Sequence, residues 1–122
     1  MHWRELEVWK LSHHMVLDVY KMTSSFPDHE KFRLTDQMCR AASSVPANIV
    51  EGNARYSTKE YIQFLVTARA SLEETRYHGL LARDLQYIAP SDYDRFEAKA
   101  ERISRMLNSF LSSLRAKGKN GK

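Results

Sequence analysis

The sequence has little of the residues that cross-link or interrupt a small fold, and each shortage excludes a class of protein. Its 122 residues include one cysteine, Cys39, so neither an intrachain disulfide framework nor a cysteine zinc site is available. Four glycines and three prolines are too few for a collagen-like or low-complexity chain. No run of 18 apolar residues is present, so no membrane span is predicted.

Motifs for catalysis and metal binding are missing as well. The four glycines are isolated from one another, so they form no phosphate-binding loop. The Glu-x-x-His pairs of di-iron bundles are absent, and Glu74 and His78, four residues apart, make at most a weak metal half-site. No serine has the context of a nucleophile motif. The sequence therefore predicts no enzyme, no metal and no cofactor.

The positive charge is concentrated at one end of the chain. Residues 115–122 contain no acid, and their cations account for the whole net charge of +4. Residues 116–122 are predicted to be a disordered basic tail, which binds polyanions weakly or only aids solubility. The N-terminal segment lacks the apolar block of a secretory signal, so the predicted location is the cytoplasm. The cations of residues 115–122 are Arg115, Lys117, Lys119 and Lys122.

Hydrophobic residues make up 43% of the chain and recur at helical spacing. Four helices are predicted, at about residues 3–25, 35–52, 57–88 and 91–115, and no segment alternates like a strand. Three short connections between long amphipathic helices favour an all-α, antiparallel up-down-up-down four-helix bundle over residues 1–115. The predicted core face of the first helix carries Leu6, Trp9, His13, Val16, Leu17 and Tyr20.

Helix ends and a kink are predicted from local signals. Thr35 is the expected N-cap of the second helix, and Gly52 its left-handed stop. Pro46, inside that helix, predicts a kink or a slight unwinding. Ala89-Pro90 is expected to end the third helix, and Ser91 through Asp94 to cap the fourth.

The third helix has the clearest start in the chain. Ser57 and Glu60 have the spacing of a capping box, in which each side chain bonds the other residue's amide. The apolar residues that follow alternate in steps of four and three, which predicts a packing seam. Gly79 within the seam costs about 1 kcal/mol relative to alanine, and a close helix crossing would offset it.

The best polar group in the second helix is formed by Asn48, Glu51 and Arg55. Either Arg40 or Arg55 is placed to pair with Glu51, and Asn48 to bond the neighbouring backbone. We interpret the group as fixing the kink and the turn between the second and third helices, rather than as a ligand site.

An arginine recurs every seven residues on the third helix, at Arg69, Arg76 and Arg83. In a ring of subunits such a stripe would form a positive surface for RNA or DNA phosphates. The alternative is that Glu73 and Asp84 neutralise it as surface ion pairs. The candidate nucleic-acid-binding residues are Arg69, Arg76, Arg83, Arg115, Lys117 and Lys119.

Some apolar residues lie off the main seams, namely Trp3, Val8, Ile62 and Val66. In a bundle such residues often pack in an oligomer interface, so self-association is expected.

One known family shares most of these sequence features. Residues 5–115 resemble the four-helix-bundle proteins associated with intervening sequences in bacterial 23S ribosomal RNA, called S23 or IVP, and are similar to the accessory variability proteins of diversity-generating retroelements. The segment Ser44 to Gly52, SVPANIVEG, is the most specific part. The resemblance rests on Val8-Trp9-Lys10, Leu34 to Met38, Arg40 to Ile49, Glu51, Gly52, Arg55, Ser57, Glu60, Tyr61, Phe64, Leu65, Ala68, Ser71, Leu72 and Glu74.

The resemblance implies a ring-like homopentamer without enzymatic activity. It implies nucleic-acid binding, or docking on a reverse transcriptase, for the retroelement branch. Two positions depart from the family pattern: Cys39 stands where a second arginine is common, and Ala70 replaces the usual glycine. We expect a non-enzymatic, oligomeric interaction protein that binds nucleic acid or a nucleic-acid enzyme. The alternative is a purely protein-binding scaffold without nucleic-acid affinity.

Overall fold

The computed structural model describes residues 1–120, with side chains up to residue 118. Four α-helices make up most of it: α1 (Glu7–Thr23), α2 (Leu34–Asn53), α3 (Thr58–Asp84) and α4 (Pro90–Asn120). Short 3-10 helices at Trp3–Glu5 and Asp28–Glu30 precede α1 and α2. No strand occurs in the described residues, so the all-α prediction is confirmed.

The helices pack side by side in cyclic order, α1 on α2, α2 on α3, α3 on α4 and α4 on α1. All four enclose one apolar core. Its largest fully buried side chains are Met15, Met38, Ile49, Leu65, Leu72, Ile103, Leu107 and Leu111. No helix in residues 1–120 is both long and apolar enough to cross a membrane.

The predicted core face of α1 was only partly correct: Leu6, Trp9 and Val16 pack at the edge of the core, but His13 is exposed. Met15 and Val19 are fully buried, whereas Leu17 and Tyr20 are 56% and 55% exposed. Val8, which was predicted to lie off the main packing seams, also belongs to the core. Apolar residues occur nearly all round this helix, so periodicity did not single out the face that α2 and α4 cover.

The start of α2 differs from the prediction. Leu34 is its first residue, and Thr35 lies within the first turn rather than at the cap. The carboxylate of Glu30 accepts from the Leu34 amide at 3.3 Å. Tyr87 donates to the same carboxylate at 2.7 Å and thereby ties the α3–α4 connection to this turn.

Neither Pro46 nor Gly52 ends or interrupts α2. The helix continues through Pro46 to Asn53, so the predicted unwinding is absent. Gly52 has no positive φ, which corrects its role as a left-handed stop. A Cβ at Gly52 would lie 2.7 Å from Tyr61 Cδ1 and 2.9 Å from Phe64 Cβ, so glycine is needed here for the close approach of α3.

The predicted start of α3 is correct and its end is earlier than predicted. Ser57 Oγ accepts from the Glu60 amide at 3.2 Å, but the Glu60 carboxylate lies 4.0 Å from Arg55 instead of bonding back to Ser57. The helix ends at Asp84, before Pro90. The Tyr87 amide bonds the Ala82 carbonyl across Gln86, which has a φ of 65°. This is a Schellman ending with glutamine in the position that glycine usually takes.

Helix α4 is longer at both ends than predicted. It begins at Pro90, where the missing amide costs nothing, so Ser91 lies inside the helix rather than at its cap. It continues to Asn120, which corrects the predicted disordered tail for residues 116–120. The side chain of Lys119 and all of residues 121–122 lie outside the described part.

Candidate nucleic-acid interface

The polar group of α2 serves mainly to join helices. Arg55 lies 3.3 Å from Glu51, whereas Arg40 pairs with Asp36 at 3.0 Å and not with Glu51. The Asn48 amide donates to the Ser44 carbonyl at 2.8 Å, as expected for a backbone contact. The same amide donates to Ser44 Oγ, which in turn lies 2.9 Å from Ser71 Oγ on α3.

Small side chains around Pro46 permit this contact. Serines at positions 44 and 71 bond directly because α2 and α3 approach closely there. Ser44 and Asn48 are half-buried, whereas Glu51 and Arg55 are exposed. The hydrogen bonds of Asn48 and Ser44 connect α2 to α3 and support the structural interpretation of the group.

Arg76, the middle residue of the arginine stripe, is neutralised by acids from two helices. Its guanidinium makes a forked contact with Glu97 of α4, with Nε 3.1 Å from Oε2. Glu101 and Glu73 each lie 3.0 Å from it. The hydrogen bonds that Arg76 donates to the Glu97 carboxylate raise the pKa of Arg76 further above its ordinary value. The Arg76 guanidinium is therefore bonded in the contact between α3 and α4, and its donors are not free to bind a phosphate.

The other two arginines of the stripe differ from each other. Arg83 lies 3.0 Å from Asp84 and packs 4.7 Å over the Tyr93 ring. Arg69 donates to the neutral Asn108 side chain at 3.0 Å, and no acid pairs with it among the described residues. The stripe therefore splits, because among the described residues Arg76 and Arg83 are paired with acids whereas Arg69 is not.

Acids and bases separate along the α3–α4 pair. Glu101 is the last acid of the chain, so every charged side chain of α4 from residue 102 onward is basic. The half near the α3–α4 connection contains seven acids, Glu73, Glu74, Asp84, Asp92, Asp94, Glu97 and Glu101, together with four bases, Arg76, Arg83, Arg95 and Lys99. At the other end, Glu60 is the sole acid of α3 before Glu73, and Arg55 lies beside it. One end of the pair is therefore strongly basic.

A groove of about 1390 Å³ opens at this basic end, between the first turns of α3 and the last turns of α4. Lys59, Arg115 and Lys117 line it without any acid, and Ile62 provides an apolar patch. Arg69 lies seven residues beyond Ile62 on the same face of α3, about 10 Å farther along. We call Lys59, Arg69, Arg115 and Lys117 the basic end.

Three of these four residues, Arg69, Arg115 and Lys117, are predicted from the sequence. Lys59 was missed because it lies inside the capping box, where only its neighbours carry a signal. Its position beside Arg115 depends on the first turns of α3 packing alongside the last turns of α4, which no local pattern reveals.

The described residues include no cluster of three side chains that could hold a metal ion. His78 Nε2 is 3.9 Å from Glu74, and His78 Nδ1 is buried without a hydrogen-bond partner. Burial lowers the pKa of His78 below its ordinary value, with Glu74 opposing the change. The His78 ring is therefore a buried group of α3 without a metal-binding partner set among the described residues.

The family model for the 23S rRNA-intervening sequence protein matches residues 4–109. The chain belongs to this family. No curated protein matches it significantly. Six solved chains do. One is a protein of unknown function from the S23 ribosomal protein family of Bacteroides thetaiotaomicron VPI-5482.

That structure shares 24% sequence identity with this chain and superposes with a TM-score of 0.77. The match covers 85% of this chain and 97% of the other, so the two have the same fold over nearly their whole lengths. The family match confirms the resemblance to the 23S rRNA group.

Proposed function

We propose that this family member is a non-enzymatic helix bundle that binds RNA phosphates through its basic end. The observation that carries the proposal is the acid-free groove lined by Lys59, Arg115 and Lys117. Each lysine or arginine that contacts a phosphate releases a condensed counterion, which is the main source of affinity for nucleic acid. DNA phosphates would bind in the same way. We also propose a cytoplasmic location, as expected from the sequence.

The groove is better suited to phosphates than the predicted arginine stripe. Arg76 and Arg83 would have to leave acids that already bond them, and those acids would repel a phosphate. The basic end has no such competition, because Arg69 contacts only a neutral amide. We therefore assign Arg69, Arg115 and Lys117 from the original candidates, add Lys59, and leave out Arg76 and Arg83.

The test is the salt dependence of RNA binding, measured by fluorescence anisotropy with a labelled RNA at 50 and 200 mM salt. We expect the Arg115→Gln/Lys117→Gln variant to bind more weakly and its log–log salt slope to fall by about 1 to 2, as expected for two lost contacts. Arg83→Gln/Arg95→Gln removes the same net charge from the opposite half and should leave affinity nearly unchanged.

Equal losses in both double variants would place binding elsewhere. If the wild-type protein binds no RNA at 50 mM salt, the proposal is overturned, and the alternative function as a protein-binding scaffold remains. The exposed Leu17 and Tyr20 on α1 favour that second candidate.

We also propose an up-down-up-down topology and a ring-like homopentamer. Contacts between Gly52 and Tyr61, Ser44 and Ser71, and Gly79 and Phe96 support antiparallel neighbours. Exposed apolar side chains support self-association, and so does the family resemblance. Light scattering should give five times the 14.2 kDa chain mass. The mass of a single chain would contradict the ring.

A reverse transcriptase is the proposed protein partner if the chain belongs with the retroelement relatives. Co-purification with a reverse transcriptase encoded nearby would support this, and the absence of such a gene would argue against it.

A further inference from the structure

The connection between α2 and α3 presents a fully exposed aromatic ring beside the basic groove. Tyr56 has a relative exposure of 106%, the highest of any large apolar side chain in the described residues. Its neighbour Ser57 lines the groove. Arg55, on the other side, packs 4.8 Å over the Phe64 ring and lies beside Glu51. Tyr56 thus contributes nothing to the packing of the chain.

The groove also contains groups that suit bases rather than phosphates. Ile62 offers an apolar surface, and the side chains of Gln63 and Ser112 are not hydrogen-bonded within the described residues. An amide and a hydroxyl can each donate to or accept from a base edge. In a duplex the base faces are stacked and the pairing edges are occupied, so these groups reach the pairing edges of bases only in a single strand.

We infer that the basic end binds single-stranded in preference to double-stranded RNA, with Tyr56 stacking on an unpaired base. The inference rests on the proposed function and adds the kind of RNA. Single-strand-binding proteins combine two features: a groove of cations that follows the nucleic-acid backbone, and aromatic side chains that stack on the bases. Lys59 and Arg115 would bind the flanking phosphates.

The test compares a labelled 12-nucleotide RNA without self-complementarity with the same RNA annealed to its complement, by anisotropy with the full chain. We expect the wild-type protein to prefer the single strand by about tenfold. Tyr56→Phe should keep that preference, because the ring remains. Tyr56→Leu should lose about fivefold or more in single-strand affinity, in the range measured for base–aromatic stacking.

Tyr77→Leu is the matched control, because Tyr77 is a 59% exposed tyrosine away from the groove. The affinity of the Tyr77→Leu variant for the single-stranded RNA should match that of the wild type. Circular dichroism spectra should be the same for all variants, since neither ring is buried.

The outcomes separate the two proposals. Binding of neither RNA would overturn the proposed function. Duplex binding as strong as single-strand binding, or an unchanged affinity in Tyr56→Leu, would overturn the inference while the proposed function stands. An equal loss in Tyr77→Leu would also overturn the role of Tyr56.

Discussion

Gly79 of α3 lies directly under the ring of Phe96 on α4. A Cβ added at Gly79 would come within 2.5 Å of Phe96 Cε2. The absent side chain therefore allows the aromatic ring to be buried at the α3–α4 crossing. The close crossing expected from the glycine in the seam is thus present.

Gly79→Ala should destabilise the protein by about 1 kcal/mol. Overpacking costs about 1–3 kcal/mol, and alanine regains about 1 kcal/mol of helix propensity. Urea denaturation measures the difference. Gly118→Ala is the control, because a Cβ there would meet only Thr58 Cγ2 at 3.8 Å, so it should be neutral or slightly stabilising. Adding Phe96→Leu should reduce the cost of Gly79→Ala, and strict additivity would contradict the contact.

Gly52 should tolerate asparagine less well than alanine. Both substitutions place a Cβ against Tyr61 and Phe64, and asparagine adds further atoms. We expect Gly52→Ala to cost about 1–3 kcal/mol and Gly52→Asn to cost more. A left-handed helix stop would give the opposite order, because asparagine is the better residue there. Thermal denaturation of the two variants distinguishes these roles.

Gln86→Gly should stabilise the protein by about 1 kcal/mol. Gln86 has a φ of 65°, a conformation that costs a residue with a side chain roughly 1 kcal/mol and glycine almost nothing. Its side chain is exposed, so no packing is lost. Gln63→Gly, within α3, should instead destabilise by about 1 kcal/mol. A loss of stability in Gln86→Gly would show that the Schellman ending does not hold in solution.

Arg76→Gln should weaken the fold rather than RNA binding. The guanidinium is 21% exposed and bonds three acids, which would repel one another without it. We expect a loss of about 1–2 kcal/mol, between the values for exposed and buried ion pairs. Arg40→Gln removes an exposed i,i+4 pair and should cost less than about 0.5 kcal/mol. Urea denaturation measures the stability loss of each variant. Equal losses in Arg76→Gln and Arg40→Gln would contradict the stabilising role of the ion pairs around Arg76.

Acid should destabilise the protein through His78. Burial lowers the pKa of His78 in the folded state, so below about pH 6.5 the unfolded chain binds more protons. Stability is therefore intact above that pH and is lost as the pH falls toward the folded-state pKa. His78→Gln should flatten the dependence of unfolding free energy on pH between 5 and 7.

The candidate site was only partly visible in the sequence. The spacing of Arg69, Arg76 and Arg83 placed them on one face of α3, and Glu73 was recognised as a local partner. Glu97 lies 21 residues away from Arg76 and reaches it only because α4 packs against α3. A cation's availability depends on such distant acids, so the sequence could not tell Arg69 from Arg76.

What the sequence determined by itself was local: four helices, the Ser57 cap and the seam of α3. Hydrogen bonds and caps act within a few residues, so short patterns predict them. The tertiary structure alone decided which face of α1 is buried, why Gly52 is a glycine, and where the cations gather. Each of these depends on a side chain from another helix. The apolar residues round α1 fit several faces equally well, until its neighbours covered Met15 and left Leu17 exposed.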